Sequence, residues 1–211
     1  IWNITNPADM TKVPAVYEDG KLTFYRSSKT LEEFVAVDVN DMDCISAELV
    51  GDVENQNLHS LSGYELVILS HPDFIPEAKR LAEIHEMHDG INAVVVTPEQ
   101  IYNEYSSGTP DATAIRLFMR QMYERNGKSD TYLLLMGDGS FDNRAILRSA
   151  STTINNFILT YQGGSSYDES ATFTSDDYYG MLSPTAFQSG KVCNGNIDIG
   201  VGRLPVTTLE E

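Results

Sequence analysis

Basic residues and cysteines are scarce in this sequence, and both shortages exclude classes of function. The 211 residues include 14 lysines and arginines against 31 aspartates and glutamates, a net charge of −17. Because phosphate backbones are bound by basic clusters, this charge excludes nucleic acid as a partner and favours cations or basic partners. The two cysteines, Cys44 and Cys193, have no cysteine or histidine nearby at metal-ligand spacing, which argues against a disulfide scaffold and a zinc site.

Long apolar runs are also missing. No stretch reaches the roughly 18 to 20 apolar residues that a membrane helix needs. The first residues, IWNI, lack the basic and apolar regions of a signal peptide. Because the sequence starts without methionine and stops at LEE, we expect it to be a piece of a longer protein. Its 41% of hydrophobic residues are enough for one sizeable folded core.

The first 62 residues have the pattern of short strands. Strand-like runs at 22–25 and 33–39 are separated by turns, and no helical period of useful length is present. We therefore predict a small antiparallel β segment over residues 1–62, interpreted as the end of a preceding β domain.

From residue 63 onward, buried strands alternate with amphipathic helices. The predicted elements are a strand at 65–70, a helix at 74–85, a strand at 91–97, helices at 98–105 and 112–125, and a strand at 132–136. Asp73 and Asp111 are the predicted N-caps of the first and third helices. This order predicts an α/β fold over 63–211, a Rossmann- or caspase-like parallel sheet flanked by helices. Weaker strands are predicted at 157–161 and 197–201.

An acidic turn, GDGSFDN at 137–143, follows the third predicted strand directly. Ligands of open parallel sheets bind beyond the carboxyl ends of the strands, so Asp138 and Asp142 lie where a site is usually placed. Carboxylates there could bind calcium or orient a substrate. The alternative is a turn whose side chains bond to their own backbone. The segment has neither a P-loop nor a dinucleotide-binding glycine motif.

Two further acidic stretches follow, with Asp176 and Asp177 in the first and Asp198 in the second. Together with Asp138, these carboxylates could converge on a calcium ion, which takes six to eight oxygen ligands. The alternative is that they cap turns or pair with Arg203 and Arg144.

Histidine and cysteine give no catalytic pair in this sequence. His85 and His88 are three residues apart, whereas a zinc hydrolase helix carries its histidines four apart, so we interpret them as surface residues. A cysteine peptidase needs a thiol within hydrogen-bond reach of an imidazole. No histidine follows Cys193, and Cys44 lies in the β segment. We therefore assign no catalytic residue.

Eight motifs, in order along the chain, resemble the gingipain (C25) family of cysteine peptidases, and within it the PorU-type sortases of the type IX secretion system. They are WNITNP (2–7), QNLH (56–59), QIYNEYSSG (100–108), DATAIR (111–116), YLLLMGDGS (132–140), LTYQ (159–162), DDYYG (176–180) and GVGRLP (200–205). The motifs span essentially the whole chain.

The resemblance implies a caspase-like domain of two α/β subdomains, with the catalytic cysteine and histidine both in the second. Residues 63–211 would be the first subdomain, inactive by itself, and the second subdomain would be its partner. The complete protein would be a surface-located or secreted endopeptidase that cleaves sorting signals from protein cargo together with other secretion-system components. The family also implies structural calcium at Asp138 and Asp198, and no cofactor for catalysis.

One alternative of another class stays open at the level of sequence. The same acidity and turn-rich acidic segments fit a non-catalytic scaffold or surface module that binds calcium.

Overall fold

The computed structural model describes residues 1–38, 40, 48–49, 51–146, 156–163, 173–183 and 195–211. The chain divides into two compact units, Ile1–Val53 and Glu54–Glu211. The sequence-based boundary between residues 62 and 63 stays a prediction. None of the helices in the described ranges combines the length and the apolar character needed to cross a bilayer.

The first unit consists of short antiparallel strands, as predicted. They are β1 (Trp2–Asn3), β2 (Thr11–Lys12), β3 (Val16–Glu18), β4 (Lys21–Thr23) and β5 (Phe34–Val35). β1 lies between β2 and β5, and β3 pairs with β4 as a hairpin. The hairpin turns at Asp19 and Gly20, whose φ angles of 49° and 75° are the left-handed pair of a type I′ turn. Val13 is the one buried apolar side chain among the described residues of this unit.

The second unit has the predicted α/β fold, a parallel sheet flanked by helices. Its elements are β6 (Leu66–Ser70), α1 (Ile75–His88), β7 (Ala93–Val96), α2 (Pro98–Tyr105), α3 (Ala112–Arg125), β8 (Tyr132–Met136), β9 (Tyr161–Gly163), β10 (Phe173–Ser175), α4 (Asp177–Gly180) and β11 (Gly200–Leu204). Four strands form one parallel sheet in the order β11-β8-β6-β7. β9 and β10 form a separate antiparallel pair.

The helix caps decide where the predicted helices begin. Asp111 caps α3 as predicted, since its carboxylate accepts a hydrogen bond from Thr113 N at 2.7 Å. Asp73 is not the N-cap of α1, and that prediction was wrong. Residues Pro72–Phe74 form a 3-10 turn, in which the Asp73 N–H donates to His71 Nδ1, and α1 starts at Ile75.

The core lies on both faces of the sheet, but unequally. On one face, Val67, Leu69, Leu133 and Leu135 pack against α2 and α3. The apolar face of α3 is fully buried there; it comprises Ile115, Phe118, Met119 and Met122. On the other face, α1 packs against β6 and β7. Period-two alternation along the strands separates the two clusters.

Glu104 fixes the segment that precedes β6 onto α2. Its Oε1 accepts hydrogen bonds from Leu58 N at 2.7 Å and Gln56 Nε2 at 2.8 Å, and its Oε2 accepts one from His59 N at 3.0 Å. The His59 ring also packs against Tyr105 in a tilted arrangement, with centroids 4.5 Å apart. Burial acts to raise the pKa of Glu104, but the hydrogen bonds from Leu58, Gln56 and His59 together lower it below its usual value.

We expect Glu104→Gln to remove part of the acid sensitivity of the fold. A carboxyl group whose pKa is lowered on folding binds more protons in the unfolded state than in the folded state. It therefore stabilises the fold fully above its unfolded pKa of 4.5. This stabilisation is lost as the pH falls through the folded pKa. The measurement is urea unfolding at pH 7 and pH 4. The difference in unfolding free energy between wild type and Glu104→Gln should shrink at the lower pH.

The exposed Glu86 on α1 provides the matched control. Glu86→Gln should leave the pH dependence as it is in the wild type. An equal response of both variants would contradict the role assigned to Glu104.

Candidate functional site at the carboxyl edge of the sheet

The carboxyl ends of β6, β8 and β11 are tied together by backbone hydrogen bonds beyond the strands. His71 N donates to Met136 O at 3.1 Å, Gly137 N donates to Leu204 O at 3.0 Å, and Asp138 N donates to Val206 O at 3.0 Å. The residues that follow the strands therefore form a continuous edge. In open α/β sheets this is the edge where ligands bind.

Arg203, near the end of β11, cross-links this edge to the segments above it. Its Nε and Nη2 donate to Asp176 Oδ2 and Oδ1 at 2.7 and 2.8 Å, a bidentate pair. Its Nη1 donates to Gly137 O at 2.8 Å and to Ile158 O at 3.2 Å, and Nη2 also reaches Leu159 O at 3.3 Å. The two charged side chains are 13% and 25% exposed. Pairing between Arg203 and an acidic residue was one of the alternatives that the sequence left open.

Asp176 is held in place by the short helix α4 that follows it. Tyr179 is fully buried and its hydroxyl donates to Leu159 O; burial, reinforced by the charge of Asp176, raises the pKa of this hydroxyl well above its ordinary value. Tyr178 stacks on Tyr161 with ring centroids 3.9 Å apart. Two aromatic anchors thus fix the orientation of the carboxylate that Arg203 binds.

Two glycines allow the segment around residue 158 to lie directly on the edge. Phe157 N and Ile158 N both donate to Asp138 O at 3.1 Å. A Cβ on Gly139 would lie 2.7 Å from Ile158 O. Gly137 has a φ of 145°, and a Cβ there would lie 3.0 Å from the Cβ of Phe157. A side chain at either position would push this segment away from the strand ends.

The acidic turn after β8 bonds largely to its own backbone. Asp138 Oδ1 accepts from Gly139 N at 2.8 Å. Asp142 is buried, and its Oδ1 accepts from Ile146 N at 2.9 Å. The Asp142 N–H is in turn bound by Ser140 Oγ. These contacts agree with the turn interpretation of the segment.

His71 lies on this edge directly after β6, and the sequence patterns did not single it out as a site residue. Its Nδ1 accepts from Asp73 N at 3.3 Å and lies 3.5 Å from Asp73 Oδ2. Its ring packs on Phe157 at a centroid distance of 4.4 Å, and its side chain is 24% exposed. Because Nδ1 accepts, a neutral ring carries its proton on Nε2. Its position directly after a buried strand is the sequence signal that could have identified His71 as a site residue.

The comparisons with known proteins decide the family. The model of peptidase family C25 matches residues 59–211. The chain belongs to peptidase family C25. Among solved structures it is similar to dimeric latent PorU from Porphyromonas gingivalis, with 35% identity and a TM-score of 0.67 over 77% of the chain. No curated protein matches it.

The predicted family and the predicted fold are both confirmed by these matches. The chain spans 16% of the length of the PorU chain that it matches. The alternative interpretation, an acidic scaffold unrelated to a peptidase, finds no support in membership of family C25.

The calcium prediction for this C25 chain needs one correction, since Asp138 and Asp198 do not converge. Asp198 precedes β11, where its Oδ2 accepts from Leu182 N at 2.8 Å. Asp138 follows β8. β8 and β11 are parallel and paired in register from Tyr132 with Gly200 to Met136 with Leu204, a span of about 13 Å. One ion therefore does not contact both carboxylates.

The described residues form no further cluster of metal ligands. Within the described residues, no three histidine, cysteine or acidic side chains cluster in a way that could hold a metal ion. His85 Nδ1 instead binds Asp89 Oδ2 at 2.6 Å, at the C-terminal end of α1. Cys44 and Cys193, which the sequence argued against as nucleophiles, lie outside the described residues.

Proposed function

We propose that the chain is the first α/β subdomain of a cysteine endopeptidase of the sortase type. In the complete protein, this enzyme would remove C-terminal sorting signals from protein cargo and help to attach the cargo at the cell surface, together with other secretion-system components. The observation that carries the proposal is the C25 match over residues 59–211. The 35% identity to PorU supports the sortase type.

The subdomain would contribute a rigid wall to the substrate cleft. Arg203 and Asp176 fix the carboxyl edge, and Gly137 and Gly139 let the segment around residue 158 close onto it. His71 presents a partly exposed polar ring on the same edge. An edge held by this many buried contacts orients a bound peptide without rearranging, which is what positioning for attack by a nucleophile requires.

The catalytic cysteine and histidine are assigned to the second subdomain. In support, three of the four histidines have a ring nitrogen that is hydrogen-bonded within this chain. His59 Nδ1 lies 2.9 Å from Gln121 Oε1, His71 Nδ1 accepts from Asp73 N at 3.3 Å, and His85 Nδ1 lies 2.6 Å from Asp89 Oδ2. Roles in fixing loops and a helix end account for all three. The chain by itself is therefore expected to be inactive.

The test compares the 211-residue chain with the complete gene product. Each is incubated with a reporter protein that carries a C-terminal sorting sequence, with and without iodoacetamide, and cleavage is followed by mass spectrometry. The complete protein should cleave the reporter and lose activity on thiol alkylation. The chain alone should give no product.

Two results would overturn the proposal in different ways. Cleavage by the chain alone that Cys193→Ala abolishes would place the nucleophile in this chain. A complete protein without thiol-dependent cleavage would remove the peptidase assignment itself. The location at the cell surface is checked separately, by protease accessibility on intact cells.

Structural calcium remains a proposal for Asp138 and Asp198 taken singly. A ligand that binds only the folded state raises the melting temperature. Melting of the chain in calcium and in a chelator should therefore differ, and identical curves would remove calcium from the fold.

A further inference from the structure

The crevice between the carboxyl ends of β6 and β8 is the topological switch point of the parallel sheet. In the strand order β11-β8-β6-β7, the chain leaves β6 toward β7 on one side and leaves β8 toward β11 on the other. Ligands of open α/β sheets bind outside the strand ends at such a point. His71 follows β6 directly, and its N–H donates to the carbonyl of Met136, the last residue of β8. A Cβ on Gly137 would lie 3.6 Å from the His71 Cβ, so the histidine side chain lies beside the crevice.

The imidazole ring of His71 is held by three contacts. It packs against Phe157 and against the buried Phe74, with centroids 4.4 and 5.9 Å away. Its Nδ1 accepts a hydrogen bond from Asp73 N at 3.3 Å and thereby caps the 3-10 turn Pro72–Phe74. These contacts fix the orientation of the ring and place the proton of the neutral ring on Nε2.

The second ring nitrogen of His71, Nε2, reaches solvent. The side chain is 24% exposed, and in the described part of the chain Nε2 has no hydrogen-bond partner and is not among the buried polar atoms. The cap needs Nδ1 alone, and the shorter side chains of asparagine, aspartate and serine commonly supply such a cap. The ring therefore presents a fixed N–H donor at the crevice in addition to its capping nitrogen.

We propose that His71 is a substrate-binding residue whose Nε2–H donates a hydrogen bond to a main-chain carbonyl oxygen of the cargo peptide. The inference rests on the proposed function, which makes a peptide the substrate. In this tautomer Nε2 is a donor, so it cannot accept from a lysine or arginine of the substrate. A substrate carboxylate is disfavoured, because Asp73 Oδ2 lies 3.5 Å from Nδ1 and the chain has a net charge of −17. A neutral backbone carbonyl satisfies both conditions, and every peptide carries such acceptors.

Two amide substitutions at His71 separate substrate binding from capping. Asparagine places an oxygen near the position of Nδ1 and keeps the cap, but it has no donor at the position of Nε2. Glutamine reaches that position with its amide N–H and lacks the capping oxygen. In the complete protein, His71→Asn should raise the KM for the reporter protein about fivefold at unchanged kcat, because the lost bond is made in the ground state and in the transition state alike. His71→Gln should stay within about twofold of the wild-type KM.

Urea unfolding of the 211-residue chain measures the capping role separately. His71→Gln should have a lower urea midpoint than His71→Asn, since only the asparagine can accept from Asp73 N. His85→Asn is the matched control. The Nδ1 of His85 is also hydrogen-bonded, and its side chain is 33% exposed, but it lies near the other end of α1. His85→Asn should leave the KM of the complete protein at the wild-type value.

The order of the two KM values decides the role of His71. A KM that is unchanged in His71→Asn, or that is raised as much or more in His71→Gln, would overturn the proposal. If the wild-type complete protein cleaves the reporter in a thiol-dependent way, such a result refutes only the substrate contact of His71. Absence of that cleavage in the wild type would remove the proposed function and this inference together.

Discussion

Arg203→Leu is expected to lower the free energy of unfolding of the 211-residue chain by about 3 kcal/mol. The substitution leaves the largely buried Asp176 carboxylate without its bidentate partner and removes the donor from Gly137 O, at 2.8 Å in the wild type. Leucine fills the volume but cannot donate a hydrogen bond. Urea unfolding at pH 7 measures the change, as a lower midpoint with an unchanged dependence on denaturant.

Arg80 on α1 is the matched control, because it also pairs with a carboxylate but does so in solvent. Its side chain is 73% exposed and contacts Glu77 at 2.7 Å. Arg80→Leu should change the free energy of unfolding by no more than about 0.5 kcal/mol. Similar losses of unfolding free energy in the two variants would mean that the buried network at Arg203 stabilises the fold no more than an exposed ion pair does. Arg203→Lys should fall between wild type and Arg203→Leu, since lysine keeps the charge without the planar fork.

Gly139→Ala should destabilise the chain by about 2 kcal/mol. The new methyl group would lie 2.7 Å from Ile158 O and 3.2 Å from Arg203 Nη1. One of these neighbours is backbone and the other is held by the Asp176 pair, so neither can move without breaking hydrogen bonds. The expected result is a lower urea midpoint together with faster proteolysis near residue 158.

Gly202→Ala tests whether the effect comes from crowding or from the loss of glycine itself. Both positions have ordinary φ values, and the methyl at Gly202 would meet only Leu134 at 3.9 Å. Alanine in a strand interior is favoured over glycine by about 0.5–1 kcal/mol. Gly202→Ala should therefore be as stable as the wild type or slightly more stable. Destabilisation of equal size at both positions would refute the close packing at Gly139.

Local sequence patterns were sufficient to predict most of the helices and strands of the second unit. The predicted bounds of α2, α3 and β8 agree with the structure, because a proline or aspartate marks the start of each helix and a continuous apolar run marks the strand. β11 was misplaced by three residues, at 197–201 and not Gly200–Leu204. Its glycines carry no apolar signal, so the preceding isoleucines attracted the prediction.

The position of Asp198 relative to β11 is what separates it from Asp138. With the strand at 197–201, Asp198 would lie inside the sheet. In the structure it precedes the strand, so the parallel register places it at the amino end, while Asp138 lies at the carboxyl end of β8. The two carboxylates are separated by the register of β8 and β11, which only the assembled sheet defines.

The sequence by itself determined the family and the α/β order of elements. These properties depend on residue type, local period and motif order, which one sequence contains. Only the tertiary structure decided that Arg203 binds Asp176, 27 residues away, and that Gly139 lies directly against the backbone at Ile158. Such pairings depend on strand order, strand register and the positions of the crossovers. All three are set when the whole core packs together, so a local stretch of sequence does not specify them.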